Sequence, residues 1–321
     1  VLSVWRPQRA ANKARIRMAQ GSKDTSSETG TTWTVMAALD WTRDYLQRNG
    51  DEHARHSAEW LLEAATGLSR LELYTHFDQP LTPDERTHLR DGVARRGAGE
   101  PLQYITGIAY FRHLALAVTP AVLIPRPETE VLVDLALQEL TEDKPEASEP
   151  KILDLCTGSG CIALALTCEA GVSVTATDLS AEALAVARNN AESLGYADRL
   201  DLRQGDLFEA LGPDERFDLI VSNPPYVPES ERATMPPEVA DFEPAVALFS
   251  GVEGLDVFRR IIEDAPRHLA ANGVIIMELH AGNATRAAQE AVKLERYEAI
   301  DVLPDLAGRE RFVRLRRNAS D

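Results

Sequence analysis

From Trp33 to about Gly107, apolar residues recur at three- and four-residue spacing. Val35, Ala38, Leu39, Trp41, Thr42 and Leu46 form one series, and Ala58, Leu61, Leu62 and Ala65 a second. That period predicts amphipathic helices and a small all-α domain over residues 33–107. Thr82-Pro83-Asp84-Glu85 reads as a helix start, with Thr82 as N-cap, Pro83 at the first helical position and Glu85 completing a capping box. Phe111 to Ile124 instead alternates and is β-branched, which predicts a hairpin-like connector, assigned to residues 108–124. Leu123-Ile124-Pro125-Arg126-Pro127-Glu128-Thr129-Glu130 opens a further helix running through Leu140, followed by a charged, proline-containing loop from Thr141 to Pro150.

Beyond Lys151 the pattern changes to strand and helix in alternation. Apolar runs near 151–156, 173–178, 200–204, 217–222, 273–279, 298–303 and 311–316 predict strands, with helices in the gaps. This is an α/β pattern for residues 125–321: a doubly wound, mainly parallel sheet of seven strands. The last two strands are joined by only Pro304 to Glu310, too little chain for a parallel crossover, so they are expected to pair antiparallel. Residues 1–32 are polar and poor in aromatics; they are expected to be a disordered extension or a misassigned start, and no function is attached to them.

A chain of 321 residues, 44% hydrophobic and 26% charged, fits a soluble globular protein of about two domains. No apolar run has the length of a membrane span, and Val1 to Gln20 has no apolar core of a signal peptide, so the cytoplasm is the expected location. Nothing in the pattern demands more than a monomer. The net charge of −17 opposes binding to bare nucleic acid, which needs a positive footprint. Cys156, Cys161 and Cys168 form no metal-type spacing and are expected to be small buried apolar residues; His53 and His56 are expected on a solvated helix face, and no metal is expected.

Three strand ends carry candidate chemistry. Lys151 to Leu155 leads into the turn Cys156-Thr157-Gly158-Ser159-Gly160, where glycine lets the backbone approach a ligand closely. The second strand ends in Asp178, placed to accept both ribose hydroxyls, and the third in Gly205-Asp206-Leu207, where Asp206 can accept from an adenine amino group. Together these predict a nucleoside-type ligand. Asp154, just before the turn, would repel a pyrophosphate but suits the cationic amino-acid end of S-adenosylmethionine, directly or through water. A methyltransferase is thus favoured over a dehydrogenase.

The fourth strand runs into Asn223-Pro224-Pro225-Tyr226. Proline lacks the N–H that a ladder needs, so the strand stops there, leaving a stiff cluster of acceptors and a flat ring at the carboxyl edge of the sheet. Such a cluster suits an enzyme that must hold an –NH2 group still.

With these residues in view, the chain resembles the release-factor glutamine N5-methyltransferases, the PrmC/HemK family. The resemblance runs from about Trp33 to Arg317. It rests on Asp154 to Gly160, Asp178, Asn223 to Tyr226 and Ile124 to Glu130, supported by Gly99 to Gly107, Phe242-Glu243-Pro244, Gly251 to Gly254 and Asp305 to Arg311. Cys156 departs from the pattern, since the family usually has glycine there. The resemblance implies a Rossmann-like class I methyltransferase fold. It also implies methyl transfer from S-adenosylmethionine to the side-chain nitrogen of the glutamine in a release factor's Gly-Gly-Gln loop, with the helical domain reading the release factor.

On that reading Asp154, Cys156, Thr157, Gly158, Ser159, Gly160, Asp178, Asp206, Leu207 and Asn223 hold the cofactor. Asn223, Pro224, Pro225 and Tyr226 hold the glutamine. The Asn223 side-chain oxygen and the Pro224 carbonyl each accept one N–H, and Tyr226 flanks the amide. Arg126 and Glu128 are expected either to orient the cofactor's amino-acid end or to cap a helix, and Phe111 to pack the domain junction. Buried pairing is expected of Glu278 and His280, and a structural role in the final hairpin of Arg309 and Arg311.

An adenine or guanine amino-methyltransferase would share the acceptor geometry, but it would need base flipping and phosphate contacts, which the acidic balance opposes. A non-catalytic nucleotide-binding module would not need the intact Asn-Pro-Pro-Tyr. The excess of carboxylates also predicts adaptation to a salty interior: in denaturation measured against KCl, stability should rise with salt, and a maximum at low salt would contradict this.

Overall fold

The computed structural model describes residues 32–141 and 149–318. The expected 1–32 extension lies outside them but for residue 32, as does most of the 141–150 loop.

Five helices make the N-terminal domain: α1 (Val35–Arg48), α2 (Ala54–Thr66), α3 (Arg70–Thr75), α4 (Pro83–Gly97) and α5 (Leu102–Thr106). Their starts are locally encoded. Thr34 caps α1, and reciprocal capping boxes open α3 (Ser69 with Glu72) and α4 (Thr82 with Glu85, Pro83 at the first position); each such cap is worth about 1 kcal/mol. Val35, Ala38, Leu39 and Leu46 face Ala58, Leu61 and Leu62 of α2 and Leu89 and Val93 of α4 in one small core. Trp41 departs from the predicted stripe. It is 42% exposed, where its ring stacks on Tyr45 and meets Trp33 edge-on. His53 and His56 are exposed, as expected.

The hairpin is β1 (Ile108–Phe111) with β2 (Leu114–Ala117), so it starts before and ends well short of the alternating stretch that predicted it. Residues 118–126 are loop, because Pro125 and Pro127 bar a ladder. Phe111 is buried in the main core beside Leu114 and Leu116, as expected of a packing residue.

The remaining helices are α6 (Pro127–Thr141), α7 (Cys161–Ala170), α8 (Ala181–Leu194), the short α9 (Pro237–Ala240) and α10 (Ala245–Leu248), α11 (Asp256–His268) and α12 (Ala284–Val292). They cover a sheet of β3 (Ile152–Leu155), β4 (Val174–Asp178), β5 (Leu200–Gln204), β6 (Phe217–Ser222), β7 (Leu269–Glu278), β8 (Tyr297–Pro304) and β9 (Glu310–Arg317). The strand order is β5-β4-β3-β6-β7-β9-β8. β9 alone runs against its neighbours, pairing antiparallel with both β7 and β8. All seven predicted strands are present; β7 begins early, at Leu269, because its first residue pairs with Phe217 across a register shift. β3 is buried throughout and β6 nearly so, as central strands covered on both faces must be. One core lies under α6 and α7, another under α11 and α12.

Of the cysteines, Cys161 is buried, Cys156 half-buried and Cys168 exposed. Cys168 thus contradicts the expectation of burial: it falls in the last turn of α7, past the residues that face the sheet.

The two parts of the chain are tied together. Arg96 of α4 donates to Asp51 at 2.8 Å and to Glu238 of α9 at 3.1 Å, and the Tyr104 hydroxyl donates to the Val122 carbonyl at 2.6 Å.

The segment after β6 is held just as closely. Val227 and Phe249 form a parallel bridge, and Gly254 sits at φ +75° where an added Cβ would lie 2.2 Å from the Tyr226 carbonyl oxygen. Gly254→Ala should therefore lower stability by more than the ~1–3 kcal/mol of ordinary overpacking, read by chemical denaturation.

Candidate active site

The parallel strands β4, β3 and β6 end side by side, and their exits wall a cavity of about 260 Å³ at the carboxyl edge of the sheet. In open α/β sheets this is where ligands bind.

The turn after β3 forms its floor. Cys156 adopts φ 60° and Gly158 φ 55°, so the chain doubles back and exposes its backbone. A non-glycine residue in that region is strained, which accounts for glycine suiting position 156. Gly158 has open space where a Cβ would stand. The turn is pinned on three sides: Thr157 donates from its backbone to the Thr177 carbonyl at 3.0 Å, Gly158 to Asp178 at 2.8 Å, and the buried Asn190 side chain to the Ser159 carbonyl at 2.9 Å.

Cys156, Thr157, Gly158, Ser159, Asp178, Asp206, Leu207, Asn223 and Pro225 all line the cavity, so most of the residues singled out from the sequence converge. Asp154 and Gly160 do not. Asp154 lies beneath the turn, where its Oδ2 accepts from the Thr157 hydroxyl at 2.7 Å and the Ala163 backbone at 3.2 Å, while Oδ1 has no partner. Gly160 is set against α8, its Cβ position 3.2 Å from that of Ala187.

Asp178 accepts from the backbones of Gly158 and Ser180, one on each oxygen. Each carboxylate oxygen keeps a second acceptor site, so a vicinal diol can still be bound. Asp206 is paired with Arg260 at 2.8 Å, a wall residue that no local pattern marks. Arg126 is paired with the buried Glu243, which also accepts from the Ile124 backbone. Both guanidiniums in the wall therefore face carboxylates, and the lining suits a nucleoside better than a pyrophosphate.

A second, smaller cavity of about 170 Å³ lies beyond Asn223, walled by Tyr226, Met235, Val239 and Leu248. Leu123, Arg126, Asn223 and Ala247 border both spaces. Pro224 is buried and lines neither.

Behind Asn223 runs a buried polar chain. Its Nδ2 donates to the Thr129 hydroxyl at 3.0 Å, Thr129 donates to Glu278 Oε2 at 2.7 Å, and the Tyr226 hydroxyl donates to Glu278 Oε1 at 3.0 Å. Burial pushes the Glu278 carboxyl above its ordinary range, against the two hydroxyl donors and the charge of Arg311. Glu278 is paired in the interior as expected. His280 is not: it is about a third exposed and sits 3.4 Å from Glu231. Tyr226 is held through its hydroxyl, and burial raises its pKa. Thr129 was missed because a threonine in the first turn of a helix reads as ordinary capping chemistry. Glu128 and Arg309 form a 3.4 Å pair, and Asp305 gathers Arg309 and Arg311, so those arginines are structural as expected. Among the described residues no His, Cys, Asp and Glu cluster is disposed to hold a metal ion.

Comparison with known proteins bears on this arrangement. Residues 37–107 match the PrmC N-terminal domain and residues 130–236 the methyltransferase small domain. A release factor glutamine methyltransferase of Geobacter sulfurreducens is 48% identical over 78% of this chain and 86% of its own length. One of Rhodopirellula baltica is 40% identical over 94% of this chain and all of its own. The chain belongs to the release factor glutamine methyltransferase family. It is accordingly an enzyme, a methyltransferase. Among solved structures, the hMettl16 catalytic domain crystallised with MAT2A 3′UTR hairpin 6 shares the fold at a TM-score of 0.52 and 16% identity, covering 74% of this chain and 82% of its own. No described helix is long and apolar enough to cross a membrane.

Burial raises the Asp154 carboxyl to about 7, despite the Thr157 and Ala163 hydrogen bonds, and Asp178 adds to the rise. The folded state then holds a proton that the unfolded chain, near the ordinary 3.8, has released. Asp154 should therefore favour folding below the lower value and lose that contribution as pH climbs towards about 7. Denaturation of the ligand-free enzyme across this window should show the fall, and Asp154→Asn should flatten it.

Proposed function

We propose that this enzyme methylates the side-chain nitrogen of a glutamine in peptide chain release factors, using S-adenosylmethionine. The carrying observation is that Asn223 stands in the wall of both cavities. The larger has carboxylates where a ribose and an adenine amino group would sit, and the smaller is fit for a carboxamide side chain. The names of the relatives support the substrate.

Asp178 and Asp206 would hold the nucleoside and the turn Cys156 to Gly160 its amino-acid end, with the unpartnered Asp154 Oδ1 available to a water or charge above it. S-adenosylmethionine supplies an electrophilic methyl group on sulfur. An amide nitrogen is a poor nucleophile because its lone pair is delocalised into the carbonyl. Asn223 Oδ1 and the Pro224 carbonyl act by accepting the two N–H bonds of the substrate amide, which fixes the amide plane so that the nitrogen's lone pair, perpendicular to it, faces the methyl group. As the new N–C bond forms and the S–CH3 bond breaks, its electron pair staying on sulfur, positive charge grows on that nitrogen, and two oxygens already fixed in place would stabilise it without reorganising. The methylated amide then sheds a proton readily, so no strong base is called for. Pro225 and Tyr226 confine the amide plane.

Asn223→Ala should lower kcat by at least ~10²-fold, the usual scale for losing one preorganised dipole, and leave S-adenosylmethionine affinity nearly unchanged. The direct test is mass spectrometry of a release factor digest after reaction, seeking one added methyl on glutamine. Transfer of labelled methyl to DNA alone would overturn the assignment.

A further inference from the structure

Behind Asn223, Thr129 at the edge of the larger cavity and Glu278 outside both cavities answer a question that shape leaves open. The two ends of a carboxamide are almost the same size, and only hydrogen bonding decides which one faces the reaction. If the amino end of Asn223 faced the substrate amide, two N–H groups would oppose each other and the site would fail.

We infer that Thr129 and Glu278 are positioning residues that fix the Asn223 amide with its oxygen presented to the substrate nitrogen. A hydroxyl has one proton to give. Thr129 gives its proton to Glu278 Oε2, so towards Asn223 it can only accept, and it receives Nδ2–H. Both Glu278 oxygens are taken up as acceptors, Oε2 by Thr129 and Oε1 by the Tyr226 hydroxyl, so Glu278 returns no donor to Thr129. Polarity is therefore imposed from the acid outward: the accepting oxygen of Glu278 orders the hydroxyl, and the hydroxyl orders the amide. Three elements hold the parts in place. Thr129 is in the first turn of α6, Glu278 is the last residue of β7, and Asn223 directly follows β6, whose Ser222 pairs with Met277. With Glu278 and Thr129 both buried, no water enters on that side to take the place of the Thr129 acceptor.

This inference rests on the glutamine methylation proposed above, and kinetics separates the two. Thr129→Val keeps the shape and removes the hydroxyl. It should lower kcat ~10²-fold, as misplacement at a reacting centre does, with S-adenosylmethionine affinity changed far less, by calorimetry. Thr129→Ser should restore most of the rate. In an Asn223→Ala background, Thr129→Val should add no further loss, because the residue it orients is gone. Glu278→Gln, which introduces a donor at the origin of the chain, should resemble Thr129→Val. Wild-type kcat in Thr129→Val, or an equal further loss in the Asn223→Ala background, would overturn the positioning role alone. A wild-type enzyme inert towards release factor would overturn both readings.

Discussion

Everything in the site follows from the way β6 is made to stop. It pairs with β3 and β7 through Ser222, and then two consecutive prolines remove the N–H groups that would continue the ladder. The chain must leave the sheet at the point where the turn after β3 also departs. The crevice between those departures becomes the larger cavity, and the stretch that leaves, running back beside Leu248 to Gly251, becomes a wall of the smaller one. A strand terminator thus does the work of a partition, with Asn223 at its edge.

The interior of this partition is unusually rich in acid. Asp154, Glu243 and Glu278 are all buried, and each is pushed up in pKa first by loss of solvent. An isolated buried carboxylate costs several kcal/mol, so each one is given donors: a hydroxyl and a backbone amide for Asp154, a guanidinium and a backbone amide for Glu243, two hydroxyls for Glu278. Breaking any of these sets is more damaging than never having had the acid at all. The acids also lock together segments far apart in sequence, since Glu243 holds the loop at Ile124 and Arg126, and Glu278 holds the start of α6.

The strands and most helix starts were legible because their signals are local. Period-two and period-four burial, the Thr82 capping box and the Pro-Pro stop each reside in a few adjacent residues. The cavity wall was legible where a residue sits at a strand end, as Asp178, Asp206 and Asn223 do. Thr129 and Arg260 were not: Thr129 lies within the Ile124 to Glu130 motif but carried no role of its own, Arg260 lies on a helix with nothing unusual around it, and both matter only through partners far along the chain. Asp154 was noticed for its acidity, but its depth below the turn depends on how α7 packs, which no local pattern states. Trp41 and Cys168 failed for a common cause: helical spacing identifies a stripe, while the width of that stripe is set by what covers it.

Arg96 has a mechanical consequence. By gripping Asp51 and Glu238 together, it fastens the helical layer to the short helix that carries Val239, one side of the smaller cavity. The helical layer and one wall of the smaller cavity are thereby braced against a single frame.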